Sequence, residues 1–223
     1  MQFRELTDII VCMELLIATK NAGKVKELSR LLQMPGFCLL SLADFPDCPD
    51  AVEDGSSFED NALIKASLGA YHSGLWTLAD DSGLAIDALN GLPGINSARF
   101  AGPGAGYAAN NAMILEMMRD IPPDGRGARF VCVMCLVGGN NRAFFARGEV
   151  LGRITSQPKG NGGFGYDPIF QPDGSGLTFA EMPQKEKDLI SHRAKAVEKI
   201  RPLIAGLFQS PKGSAGQASR TWS

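Results

Sequence analysis

Apolar positions in the first third of the chain change period twice. "ELLIAT" at 14–19 is a short apolar run of strand length, and Val25, Leu28, Leu31 and Leu32 then recur at helical spacing. The pattern predicts a strand over 14–19, a helix over 23–33 and a second strand at "FCLLSL" (37–42), followed by an Asp-, Pro- and Ser-rich loop over 44–57. "SFEDNALIKASLGAYHSG" reads as a helix with Ser57 as its cap, Asp60 three residues on and Gly74 past its end. "WTLADDSGLAIDAL" (76–89) reads as a strand broken by a polar turn, and residues 90–106, with five glycines and two prolines, read as loop. "YAANNAMILEMMRDI" is a helix that Pro122–Pro123 stops. Two long strands, "ARFVCVMCLV" and "RAFFARGEVLGRI", flank "GGNN" as a hairpin, and "PKGNGGFGYDPIF" is a glycine-rich loop entering a short strand.

From Pro183 the pattern is helical. Lys187 and His192 lie five apart, so one straight helix does not put them on one face, whereas a cap at Ser191 starts a fresh helix at His192. Pro202 inside that pattern predicts a kink or break near 198–202. Strands alternating with helices give an α/β class with an antiparallel hairpin on a mixed sheet. The chain divides into an N-terminal extension (1–13), one domain (14–208) and a small, polar, flexible tail (209–223).

Bulk properties narrow the partners. A net charge of −2 argues against a nucleic acid polymer, which needs a basic face. No run is long and apolar enough to span a bilayer, and "MQFRELTDIIVCM" makes a poor signal peptide, so a cytoplasmic protein is expected. The five cysteines (Cys12, Cys38, Cys48, Cys132, Cys135) are scattered, and reduced thiols are the simpler reading. Cys132 and Cys135 form a C-x-x-C within a strand, where residues three apart face opposite ways, so neither a metal nor a redox role is expected.

Several polar clusters remain. "TKNAGK" (19–24) lies between a strand and a helix N-terminus, where free N–H groups, Thr19, Asn21 and Lys24 can hold a triphosphate; the plain reading is a turn. It matches neither a Walker A loop nor a dinucleotide fingerprint. In "ADDSG" (79–83), two carboxylates at a strand end suit Mg²⁺, with one orienting a water; the plain reading is an Asx turn and a solvated charge. Glu53, Asp54, Glu59 and Asp60 cluster near a helix start, with Glu53 the first candidate for a second metal carboxylate and Lys65 either paired or solvated. In "GNGGFGYD" the glycines admit a ligand, Phe164 and Tyr166 offer faces for a base, and Asp167 offers acceptors.

These segments together resemble the inosine triphosphatase family. The resemblance spans about residues 14–207 and rests on Thr19-x-Asn21-x-x-Lys24, "SFEDNALIKA", "ADDSGLAIDALNGLPGINSARFAG", "GNGGFGYDPIF", and Lys187 followed by Ser191-His192-Arg193, all in order. It implies a long curved mixed sheet with two lobes around a central cleft, a homodimer, and Mg²⁺-dependent hydrolysis of ITP, dITP and XTP to monophosphate and pyrophosphate. It also implies that Thr19, Lys20, Asn21, Ala22, Gly23 and Lys24 bind the triphosphate, and that Asp81 is the catalytic and metal-binding carboxylate. Ser82, Phe164, Gly165, Tyr166, Asp167, Lys187, His192 and Arg193 would contact substrate. Water would attack the α-phosphorus, with Glu53 or Asp80 helping Asp81 hold the metal and Arg193 or a backbone N–H reading the 6-oxo group. The alternatives are a non-catalytic nucleotide-binding module and a pyrophosphatase for other modified nucleotides.

Overall fold

The structure, a computed structural model, describes residues 12–138 and 142–209. Met13–Ile17 (β1), Ala22–Leu31 (α1) and Phe37–Ser41 (β2) form the first unit. Phe58–Ser73 (α2) begins at Ser57, whose hydroxyl accepts the Asp60 N–H, and ends at the left-handed Gly74. Trp76–Ile86 (β3), Tyr107–Met117 (α3), Gly127–Val137 (β4) and Ala143–Ile154 (β5) follow. Phe170–Pro172 (β6), Gln184–Ile190 (α4) and His192–Gln209 (α5) complete the described elements.

The six strands order β2-β1-β3-β4-β5-β6. β1 runs parallel to β2 and β3, and the remaining pairs are antiparallel, so the sheet is mixed as expected. β4 and β5 pair antiparallel as expected, and residues 139–141, on which the expected turn falls, lie outside the described residues, as do 1–11 and 210–223.

Strand alternation assigns the core. Leu78, Cys132 and Met134 pack with Leu28 of α1, with Leu32 just past its end, and with Ala196, Val197 and Ile200 of α5. The intervening Ala79, Val133 and Cys135 pack with Ala62 and Ala66 of α2. Cys132 and Cys135 thus belong to opposite faces, and burial pushes both thiols up to about 12, which makes them inert. Further along the sheet, Leu84, Ile86, Phe130 and Val150 form another cluster with Ile114 of α3, with Met118 just past its end, and with Tyr166, Phe170 and Phe179. Gly148 admits α5 closely: a Cβ there would lie 2.1 Å from the His192 carbonyl oxygen and 2.5 Å from the Ala196 nitrogen.

Four expectations are corrected. β3 is continuous from Trp76 to Ile86, so Asp80–Gly83 is strand and not turn. The two carboxylates stay in the ladder because cations on both faces compensate them, as described below. α5 runs through Pro202 without a break, with Ile200 and Ile204 buried on either side of it. α3 ends at Met117 instead of reaching the proline pair, because the Arg126 guanidinium takes the carbonyls of Met118 and Ile121 at 2.5 and 3.2 Å. Cys12 and Cys38 form a disulfide, so only Cys48, Cys132 and Cys135 are thiols. Parallel pairing of β1 with β2 brings these two cysteines together across 26 residues of sequence, a proximity that scattered spacing conceals.

β1 pairs with β3 only from Leu15↔Trp76 to Ile17↔Leu78. Beyond Leu78, β1 no longer covers β3; segment 92–97 takes that side only from Leu84 to Ile86, and a cavity is lined by Asp81, Ser82 and Gly83 between them.

Candidate functional site

The cavity has a volume of about 310 Å³ and draws residues from both faces of the sheet at β3, Lys65 from α2 on one side and Lys24 and Arg193 from α1 and α5 on the other. Asp80 and Asp81 are adjacent and both buried, at 1% and 6% exposure, but alternation sends them to opposite faces.

Asp81 faces α2. Its Oδ2 accepts from Asn61 Nδ2 at 3.3 Å and its Oδ1 from Lys65 Nζ at 3.0 Å. The same ammonium donates to Glu53 Oε2 at 2.9 Å. Burial lifts the Asp81 carboxyl above its usual value, against the pull of Lys65 and Lys24. Burial alone would lower the Lys65 ammonium, but the Asp81, Asp80 and Glu53 carboxylates outweigh it and raise it. Glu53 and Asp81 thus converge on one cation from opposite sides.

Asp80 faces α1 and α5. Its Oδ2 takes Lys24 Nζ at 3.0 Å, Arg193 at 3.2 Å and the Ser82 hydroxyl at 2.7 Å. Burial would raise this carboxyl, but Lys24 and Arg193 outweigh it and hold it far below the carboxylate range. Arg193, 2% exposed, also donates to Glu27 Oε2 at 2.6 Å and to Ser82 Oγ at 3.3 Å. Asp80 Oδ2 is thus engaged by Lys24, Arg193 and Ser82, whereas Asp81 shares Lys65 with Glu53. The Arg193 guanidinium is hydrogen-bonded to Glu27, Asp80 and Ser82, lines the cavity, and stands 5.7 Å from the Phe164 ring centroid.

The phosphate-type loop is capped from within. Asn21 Oδ1 accepts the Gly23 and Lys24 N–H groups at 2.9 and 3.2 Å, and Asn21 N–H donates to Thr19 Oγ1 at 3.2 Å. Gly23 lies under Phe164, where a Cβ would sit 2.9 Å from the ring. Thr19, Lys20, Asn21 and Lys24 line the cavity; Ala22 and Gly23 do not. Lys20 reaches across its mouth to Asp50 at 2.5 Å.

Phe164, Gly165, Tyr166 and Asp167 also line the cavity. Asp167 Oδ2 accepts Lys187 Nζ at 2.5 Å and the Phe164 N–H at 2.8 Å, and burial raises its carboxyl in spite of Lys187. Tyr166 spends its hydroxyl on the Ser97 carbonyl at 2.8 Å, so it supports the loop, while Phe164 carries Lys187 5.3 Å from its ring centroid. The break at Ser191, whose Oγ accepts the Ala194 N–H, lets Lys187 of α4 and His192 of α5 reach one cavity with Ser82. His192 stacks on Phe130 at 4.6 Å and 9°, and its Nδ1 is buried with no partner among the described residues.

Burial, reinforced by Arg193 and Lys187, drives the His192 imidazole well below its usual value. A lowered folded-state value means the unfolded chain takes up the proton first, so stability is lost as pH falls below about 6.5. Going from pH 7.5 to 5.5, wild type is expected to lose roughly 1.4 kcal/mol more than His192→Gln, read from urea midpoints at each pH. Equal losses would remove His192 from this account.

Sequence reasoning missed Glu27, Asn61 and Tyr107. Lys24 and Glu27 are one helical turn apart, a spacing that marks them as neighbours. Asn61 carries no such signal. Tyr107 opens α3 and lines the cavity, and only the fold brings it beside Asn21.

A family model described as the Ham1 family matches residues 15–203. The dITP/XTP pyrophosphatase of Corynebacterium efficiens is 47% identical over 204 residues, covering 87% of this chain and 99% of that protein. That of Geobacter sulfurreducens is 46% identical over 187 residues, covering 84% and 94%. Among solved structures, a HAM1 protein from Coxiella burnetii superposes with a TM-score of 0.79 at 38% identity, covering 87% of this chain and 99% of that one. A nucleoside-triphosphatase / dITP/XTP pyrophosphatase from Mycobacterium abscessus gives a TM-score of 0.70 at 47% identity, covering 85% and 100%.

Proposed function

The chain belongs to the Ham1 family, and from that premise we propose that it hydrolyses ITP, dITP and XTP to the monophosphate and pyrophosphate, clearing deaminated purines from the nucleotide pool. The relatives named dITP/XTP pyrophosphatase support the substrate class. The observation that carries the reading is one cavity with Asp81, Lys65 and Glu53 at one end and Phe164, Asp167 and Lys187 at the other. That is a reacting end and a base end joined by a phosphate loop.

The donor set suits Mg²⁺. Glu53 and Asp81 already flank a single positive charge, the Lys65 ammonium, at 2.9 and 3.0 Å. No group of three or more metal-ligating side chains occurs among the described residues, and Mg²⁺ needs none, since one or two carboxylates with substrate oxygens suffice. Asp81 and Glu53 would hold the ion, which supplies charge neutralisation at the phosphates. The protein's own part is then positional and protonic. Asp81, its carboxyl raised above its usual value by burial, accepts the proton of the attacking water. Lys24 and Lys20 at the loop neutralise the departing pyrophosphate.

Lys187, His192 and Arg193 all line the cavity, and Lys187 is the donor best placed to read the base over Phe164. The Lys187 ammonium has three donors, of which Asp167 takes one. A 6-oxo group accepts from it, whereas the 6-amino group of adenine would face a donor, at a cost of roughly 1–3 kcal/mol.

We also place the enzyme in the cytoplasm as a homodimer. No helix among the described residues is long and apolar enough to cross a membrane, and Met113 and Met117 are exposed along α3. A reducing cytoplasm would open Cys12–Cys38, which lies at the end of β1 away from the phosphate loop.

Turnover of ITP, dITP, XTP, dATP and dGTP tests the proposal. The first three are expected to give monophosphate and pyrophosphate, at least about tenfold faster than dATP, and EDTA is expected to abolish release. Release of orthophosphate, or no cleavage with Mg²⁺, would overturn it.

A further inference from the structure

Tyr107 stands at the first position of α3, after the glycine-rich segment 101–106, and is 44% exposed at the cavity. Its phenol oxygen accepts Asn21 Nδ2 at 2.9 Å. The orientation of that amide is fixed, because Asn21 Oδ1 already takes the Gly23 and Lys24 N–H groups. The phenol must therefore act as acceptor toward Asn21, and its own hydrogen is left to donate. That hydrogen has no acceptor among the described residues. The ring meanwhile stands 6.3 Å from Phe164, tilted at 45°. One side chain thus touches the phosphate loop and the base platform together, and its unused donor sits between them.

We propose that Tyr107 contacts the substrate, its hydroxyl donating to an oxygen in the middle of the nucleotide, either a sugar hydroxyl or the α-phosphate. The proposal rests on the reading of the cavity as a nucleotide site and adds a residue to it. A chain of donors from Asn21 through Tyr107 to the ligand polarises the phenol and strengthens its bond. Tyr107 then recognises the monophosphate part of the substrate and leaves the pyrophosphate to Lys24.

The test is binding, which needs no turnover. Dissociation constants for inosine 5′-monophosphate, its 2′,3′-dideoxy form and inorganic pyrophosphate are measured by calorimetry with Mg²⁺, for wild type and Tyr107→Phe. The variant keeps the ring against Phe164, and an unchanged melting temperature confirms its fold. Tyr107→Phe is expected to weaken inosine monophosphate roughly tenfold and to leave pyrophosphate within about twofold. If the dideoxy form is weakened equally, the acceptor is the α-phosphate; if it is not weakened, the acceptor is a sugar hydroxyl; either result supports the contact. Unchanged monophosphate binding overturns the contact alone. Equal weakening of pyrophosphate also overturns it, since Tyr107 would then act through Asn21 on the loop. A wild type that binds none of the three overturns the contact and the nucleotide reading together.

Discussion

Asp81→Asn is expected to lower kcat for dITP by about 10³-fold or more while leaving unfolding free energy within about 1 kcal/mol of wild type. The proposed proton acceptor is this carboxylate, which burial lifts above its usual value against the pull of Lys65 and Lys24. An amide of the same shape still occupies the space beside Asn61 and Lys65, but it accepts no proton. Stability changes little because two effects offset: the variant loses the charge-assisted bond to Lys65 and also loses a desolvated carboxylate. Lys65 keeps Glu53. Turnover near wild type would show that another group takes the proton.

The neighbouring substitution is expected to do the reverse. Asp80→Asn removes the negative charge that Lys24 and Arg193 share within a network that is nearly inaccessible to solvent. Arg193 and Lys24 would then rely on Glu27, whose Oε1 already lacks a partner, and the residual charge is uncompensated. Breaking a buried ion network from one side costs roughly 3–5 kcal/mol. Urea denaturation of Asp80→Asn should show that loss, and a change under about 1 kcal/mol would mean the network relaxes or admits water. Two identical residues, one peptide apart, are thus expected to divide into a structural anchor and a reacting group because a strand sends them to opposite faces.

That division also marks where the sequence stopped being legible. Local signals held where the chemistry is local. Ser57 and Gly74 bounded α2, Ser191 split α4 from α5, and period-two alternation put Cys132 and Cys135 on different faces. The ordered motifs pointed to the family, and the sheet is mixed as they implied. Reading failed where partners come from far along the chain. Two adjacent carboxylates look like a turn until Lys24, Lys65 and Arg193 arrive from three different helices, and then they sit inside β3. Arg193 looks like a free donor until Glu27, 166 residues away in sequence, claims it. Pro202 predicts a break in an isolated helix, and core packing of Ile200 and Ile204 carries α5 through it. Cys12 and Cys38 look unpaired until β1 and β2 align in parallel.

The measurement that bears most directly on the whole account is a crystal structure of Asp81→Asn with uncleaved dITP and Mg²⁺. The account predicts the α-phosphate beside residue 81, the pyrophosphate part at Lys24, and the base over Phe164 with its 6-oxo group toward Lys187. A nucleotide bound the other way round, or phosphates lying away from residue 81, would contradict it.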